Sequence, residues 1–181
     1  MSEEITQETI ERDKLLLDLM IHAYDEDVAR NDLVDNKNSQ MIVLVGVMLT
    51  LQATLFINLL VQHILLNQNF MYSAKLILSG AILLSFILYG ISLYYYINAY
   101  AFSREFKSSP TPKILCDYAK DNQSKFFVQG EMLFTIGKTI NDNYSVIEDK
   151  VETGRKGFKW LKRACLTTFI FIVLFLIFIL F

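Results

Sequence analysis

Apolar and polar positions along this chain fall in blocks. The first forty residues are polar and acidic, after which Met41 to Leu66 carries no charge, Leu76 to Phe102 carries none, and Ala164 to Phe181 is broken only by Thr167 and Thr168. About 20 apolar residues, each rising ~1.5 Å in a helix, cross a hydrocarbon core of ~30 Å. The first two blocks therefore span with length to spare, and the third barely crosses. The expected fold is an all-α integral membrane protein with two long cytosolic helical stalks. Its parts are a cytosolic acidic arm at 1–40, spans at 41–66, 75–102 and 164–181, a short external loop at 67–74, and a cytosolic Pro turn with a basic stalk at 103–163.

Within the arm, Leu17, Ile21, Tyr24, Val28, Asn31, Asp35 and Asn38 alternate four and three apart, the step of a coiled-coil seam. No Gly or Pro separates them from the first span, so arm and span are predicted to form one helix. Both prolines of the chain lie in Ser108 to Lys113, which predicts a non-helical turn. Beyond it, Leu133, Ile136, Ile140, Tyr144, Ile147, Val151, Gly154, Phe158, Leu161 and Cys165 step three or four apart. This predicts a second long helix, continuous with span three. Junctions without a hinge either hold the spans rigid or pass rotation of the stalks to them.

Charge sets the expected orientation. Ser103 to Arg163 holds twelve Lys and Arg residues, whereas Asn67 to Tyr72 holds none. Basic loops stay in the cytosol, so the arm is expected inside and Phe181 outside, at the inner membrane of a cell. The eleven acids against three basic residues in Met1 to Asn36 argue against a secretory signal. Cys116 and Cys165 have no CxxC partner and read as reduced.

Polar residues inside the apolar blocks are the candidate chemistry. In span one Gly46, Thr50, Thr54, Asn58 and Gln62 step by four along one winding face, with Gln52 and His63 well away from it. In span two Ser85, Tyr89, Ser92, Tyr96 and Ala99 share a face. Polar groups at membrane depth turn toward protein or water. The first stripe is therefore either glue between helices or, in an oligomer, the lining of a weakly polar path. Neither span contains Asp, Glu, Lys or Arg, which argues against a charge-selective filter. No HExxH, GxSxG, P-loop or dinucleotide motif occurs, so no catalytic, cofactor or metal residue is assigned and an enzyme is not expected.

At the mouth of span one stand Asp35, Asn36 and Lys37, followed by Ser39 and the apolar run. Lys37 has the reach to snorkel to phosphates. Asp35 needs a cation, and Lys156 or Lys159 on the second stalk are the candidates. The motif is then either a plain interfacial cap or a latch between the stalks. This stretch, with Asn143, Lys150 and the Lys-rich entry Arg155 to Ala164, resembles the SLATT-like and Pycsar-type prokaryotic transmembrane effectors and their uncharacterised archaeal and bacterial relatives. The resemblance implies an oligomer that compromises the membrane in antiviral defence when an infection signal, commonly a cyclic nucleotide, arrives. No nucleotide sensor is recognisable in the chain. Two functions follow as expectations. One is a non-enzymatic, channel-like effector engaged by a cytosolic protein or nucleotide-signal partner. The other is a membrane-anchored scaffold whose coiled-coil-like helices dock a protein. The expected partners are the bilayer and further copies of the chain, and not nucleic acid.

Overall fold

The structure is a computed structural model that describes residues 2–58, 72–101, 106–107 and 125–180. The described residues form three helices, α1 (Ser2–Leu55), α2 (Tyr72–Ala101) and α3 (Lys125–Leu180). All three are long and apolar enough to cross a membrane. As the absence of breakers predicts, α1 is uninterrupted from the acidic arm into the apolar block, and it gives way to a wider π-type turn over 56–58. Likewise α3 runs from the basic stalk into the last apolar block. The Pro turn, residues 59–71 and Cys116 lie outside the described residues.

The chain divides into two compact units. One is drawn from Met1–Val34 and Phe102–Asp149, the other from Asp35–Ala101 and Lys150–Phe181. In the first unit α1 lies along α3. Met20 packs where α3 presents Gly137, Asn31 is buried, and Arg30 sits 5.7 Å over the Tyr144 ring. Asn143 is fully buried and clamps the backbone of Lys107, accepting from its N–H and donating to its carbonyl, each at 2.9 Å. The Lys107 ammonium reaches Asp142 at 2.8 Å and holds that carboxyl below its ordinary pKa.

In the second unit α1, α2 and α3 pack as a three-helix bundle with two apolar clusters. One gathers Leu78, Ile82, Phe171 and Phe175; the other gathers Val45, Tyr89, Tyr96, Leu161 and Ala164. Lipid tails are as apolar as these side chains, so fit and hydrogen bonds, more than water exclusion, hold such helices together. The span-two stripe expected to face protein does so: Ser85, Tyr89, Ser92, Tyr96 and Ala99 are all buried.

The seam predicted on α3 needs correcting. Ile136, Ile147 and Leu161 of that seam are buried, but Tyr144, Val151 and Phe158 are exposed. The buried positions between them are Asn143, Lys150, Gly157 and Ala164, at seven-residue steps. The inner face of α3 thus takes small residues, which let backbones approach, and polar ones with partners. Of the predicted seam, the column through Tyr144, Val151 and Phe158 turns outward, while the column through Ile147 and Leu161 stays inside.

Candidate functional site

At the head of the second unit, Lys150 is fully buried, and its Nζ lies 3.0 Å from both carboxylate oxygens of Asp35, which is 18% exposed. A buried ammonium costs several kcal/mol unless an anion compensates it at close range. Asp35 supplies that anion from α1. One turn further along, the Asn38 amide oxygen lies against Gly154, where an added Cβ would come within 2.8 Å of it. The two helices approach this closely because Gly154 has no side chain. Asn38 Nδ2 is buried with no hydrogen-bond partner among the described residues. One turn along α3, the Ser92 hydroxyl donates to the Gly157 carbonyl at 2.9 Å. There a Cβ would meet the Tyr96 ring at 3.2 Å, so Gly157 is the matching contact to α2.

Deeper in the bundle, Gln52 of α1 is buried and joins all three helices. Its Nε2 donates to the Ser85 hydroxyl of α2, and its Oε1 lies 3.2 Å from the Thr168 hydroxyl of α3. Thr168 Oγ1 is also 3.4 Å from the Tyr89 hydroxyl, which approaches Cys165 Sγ at 3.6 Å. Gln52, Tyr89, Cys165 and Thr168 line a groove of about 260 Å³ together with Met48, Leu51, Leu55, Phe169 and Ile172.

The predicted site residues separate. Asp35 does meet a cation of the second stalk, but that cation is Lys150 and neither Lys156 nor Lys159. Lys156 bonds Glu152 on its own helix at 2.8 Å, depressing that carboxyl's pKa, while Lys159 is exposed. The polar part of the α1 seam places Asp35 on the bundle side, and Lys150 is the α3 cation at that level. Lys156 and Lys159 fall on other faces of α3. Asn36 and Lys37 are exposed, and Asn36 accepts from Gln40 at 3.4 Å. Thr50 and Thr54 on the outer side of α1, and Asn58 in the π-type turn that follows it, are exposed, whereas Gln62 lies outside the described residues. The two threonine hydroxyls bond back to the carbonyls of Gly46 and Thr50, each at 3.1 Å.

Sequence reasoning missed Gln52, Thr168 and Gly154 as joints, and reached Asn143 and Lys150 only through the resemblance. For Asn143 and Lys150 the available signal was the strict seven-residue step Ile136, Asn143, Lys150, Gly157, Ala164, Phe171, whereas Gly154 and Thr168 fall on the column through Ile147 and Leu161. Among the described residues no group of His, Cys, Asp and Glu is placed to hold a metal ion. Comparison with family models, with curated proteins and with solved structures finds no match to the chain.

Proposed function

We propose that the protein is a non-enzymatic oligomeric membrane effector, in which several copies turn the Thr50, Thr54 and Asn58 face of α1 toward a common, weakly polar path. The observation that carries this reading is a division of labour among polar groups at membrane depth. Gln52, Ser85, Tyr89 and Thr168 are used inside the bundle, while Thr50, Thr54 and Asn58 face out of it. An exposed amide in hydrocarbon lacks partners, and water or a second copy supplies them. The charge distribution supports a cytosolic N-terminus and an external C-terminus. The Asp35–Lys150 pair is the latch that a cytosolic partner or signal would loosen. The resemblance to SLATT-like and Pycsar-type effectors points the same way.

The test is expression in a bacterium carrying a voltage-sensitive dye, with a Thr54→Val/Asn58→Leu variant and an Asp35→Asn variant alongside. Depolarisation is expected from the parent or from the unlatched Asp35→Asn form, and is lost when the polar face is made apolar. Absence of depolarisation from every form, with protein confirmed in the membrane, refutes the reading. It favours the scaffold, in which the charged stalks dock a protein and the spans only anchor.

A further inference from the structure

The arm of α1 carries a second heptad stripe on the side away from α3. Leu15, Leu19, Ala29 and Leu33 are all exposed, and the three leucines are 60%, 56% and 53% accessible. Their positions belong to two columns of a seven-residue repeat, one through residues 19, 26 and 33 and the other through 15, 22, 29 and 36. Columns alternating by three and four form the seam of a coiled coil. The seam buried against α3 uses different columns, through Tyr24 and Asn31 and through Val28, so the arm has two distinct packing faces. His22 and Glu26, which pair at 3.4 Å, occupy the middle of the outer stripe and keep it from being uniformly apolar.

Charge on the two flanks identifies the occupant. One flank is the acidic column Glu11, Asp18, Asp25 and Asp32; the other carries Lys37 and Arg30, whose guanidinium also reaches over Tyr144 of α3, and all six are exposed. In a parallel coiled coil the residue before one core position faces the residue five places on in the neighbouring helix, and such pairs set partner and orientation. That step connects Asp25 to Arg30 and Asp32 to Lys37. We propose that the outer face of the α1 arm pairs in parallel, in register, with the α1 arm of a second copy of this chain. The proposal rests on the oligomeric reading above and identifies the contact by which copies assemble. Membrane insertion points every copy the same way, which removes the antiparallel alternative. It also concentrates the arms, so a short stripe with polar interruptions suffices.

The experiment is oxidative cross-linking of the full-length protein in native membranes, in a Cys116→Ser/Cys165→Ser background. Single cysteines are placed at Leu19 and Leu33 on the stripe and at Glu148 on exposed α3. Cross-linked dimer is expected from Leu19→Cys and Leu33→Cys and not from Glu148→Cys. Reversing Asp25 and Asp32 to Lys sets like charges across the contact and is expected to lower the Leu33→Cys yield at least ~fivefold. Adding Arg30→Glu and Lys37→Glu restores it. No cross-link at Leu19 or Leu33, or equal yield at Glu148, overturns the interface; failure of the compensating changes overturns its parallel register. Depolarisation is read in the same cells. Membrane damage without stripe cross-links sinks this contact alone, and stripe cross-links without damage from parent or Asp35→Asn sink the effector reading alone.

Discussion

Removing either member of the Asp35–Lys150 pair should destabilise the bundle much more than removing both. Lys150 is fully buried and its Nζ lies 3.0 Å from each oxygen of Asp35. Unit charges ~4 Å apart attract by about 4 kcal/mol at an effective dielectric constant of ~20. Breaking a buried pair by removing one partner costs about 3–5 kcal/mol, because the other charge is left uncompensated. The two single changes should differ. Asp35→Asn strands an ammonium with no access to solvent and belongs near the upper end of that range. Lys150→Met strands a carboxylate that keeps some exposure, so it belongs near the lower end. Asp35→Asn/Lys150→Met strands neither charge, and a well-packed neutral replacement often costs little. The double variant should lie within about 2 kcal/mol of the parent, against a sum of at least ~6 kcal/mol for the singles, a coupling of at least ~4 kcal/mol. Unfolding by SDS in mixed micelles, followed through the fluorescence of Trp160, the single tryptophan, reads all four proteins. A double variant that costs the sum of the singles would refute the claim that the two charges support each other.

Two further predictions test helix approach and the Lys107–Asp142 contact. Gly157→Leu should abolish assembly of the bundle, since even a Cβ there comes within 3.2 Å of the Tyr96 ring. Gly90→Ala meets nothing within 4 Å and should be neutral or stabilising by up to ~1 kcal/mol from helix propensity; the same SDS titration separates them. Asp142 has its pKa lowered chiefly by the hydrogen bond from Lys107, so the folded state favours the ionised form. Its stabilising contribution is present above the ordinary carboxylate pKa and is lost as pH falls through the lowered value. Carboxyl NMR titration should show the Asp142 pKa rising toward its ordinary value in Lys107→Gln, and an unchanged titration would mean that the bond does not form.

The helices were legible because they depend on local features. Uncharged runs, the lack of Pro or Gly at the arm–span junction and a four-three alternation all read directly off neighbouring residues. The arm seam was found for the same reason. It includes Asn31 and Asn38, both buried, though its member Ile21 is 40% exposed. On α3 the same reasoning picked one column that is buried, through Ile147 and Leu161, and one that is not. Apolar periodicity selected Val151 and Phe158, while the buried columns hold Lys150, Gly157 and Ala164. Hydrophobicity identifies a buried face where water is the alternative. Close to and within a membrane, lipid accepts Phe and Val on the outside, and the inside goes to residues that fit or bond.

The same competition explains why polarity by itself did not mark the site. Five polar or small residues of span one form a regular stripe, yet the side chain that binds the bundle together is Gln52, off that stripe. Thr50 and Thr54 satisfy their hydroxyls on their own helix and need no neighbour. Gln52 has an amide group that its own helix does not satisfy, and the structure places Ser85 and Thr168 around it. The informative quantity is therefore the number of hydrogen bonds a side chain must find beyond its own helix. By that measure Asn58, an amide on the outer face, differs from the threonines beside it. Among the described residues no group bonds that amide, so Asn58, more than Thr50 or Thr54, is the position of this stripe at which a change to Leu should matter to the proposed assembly.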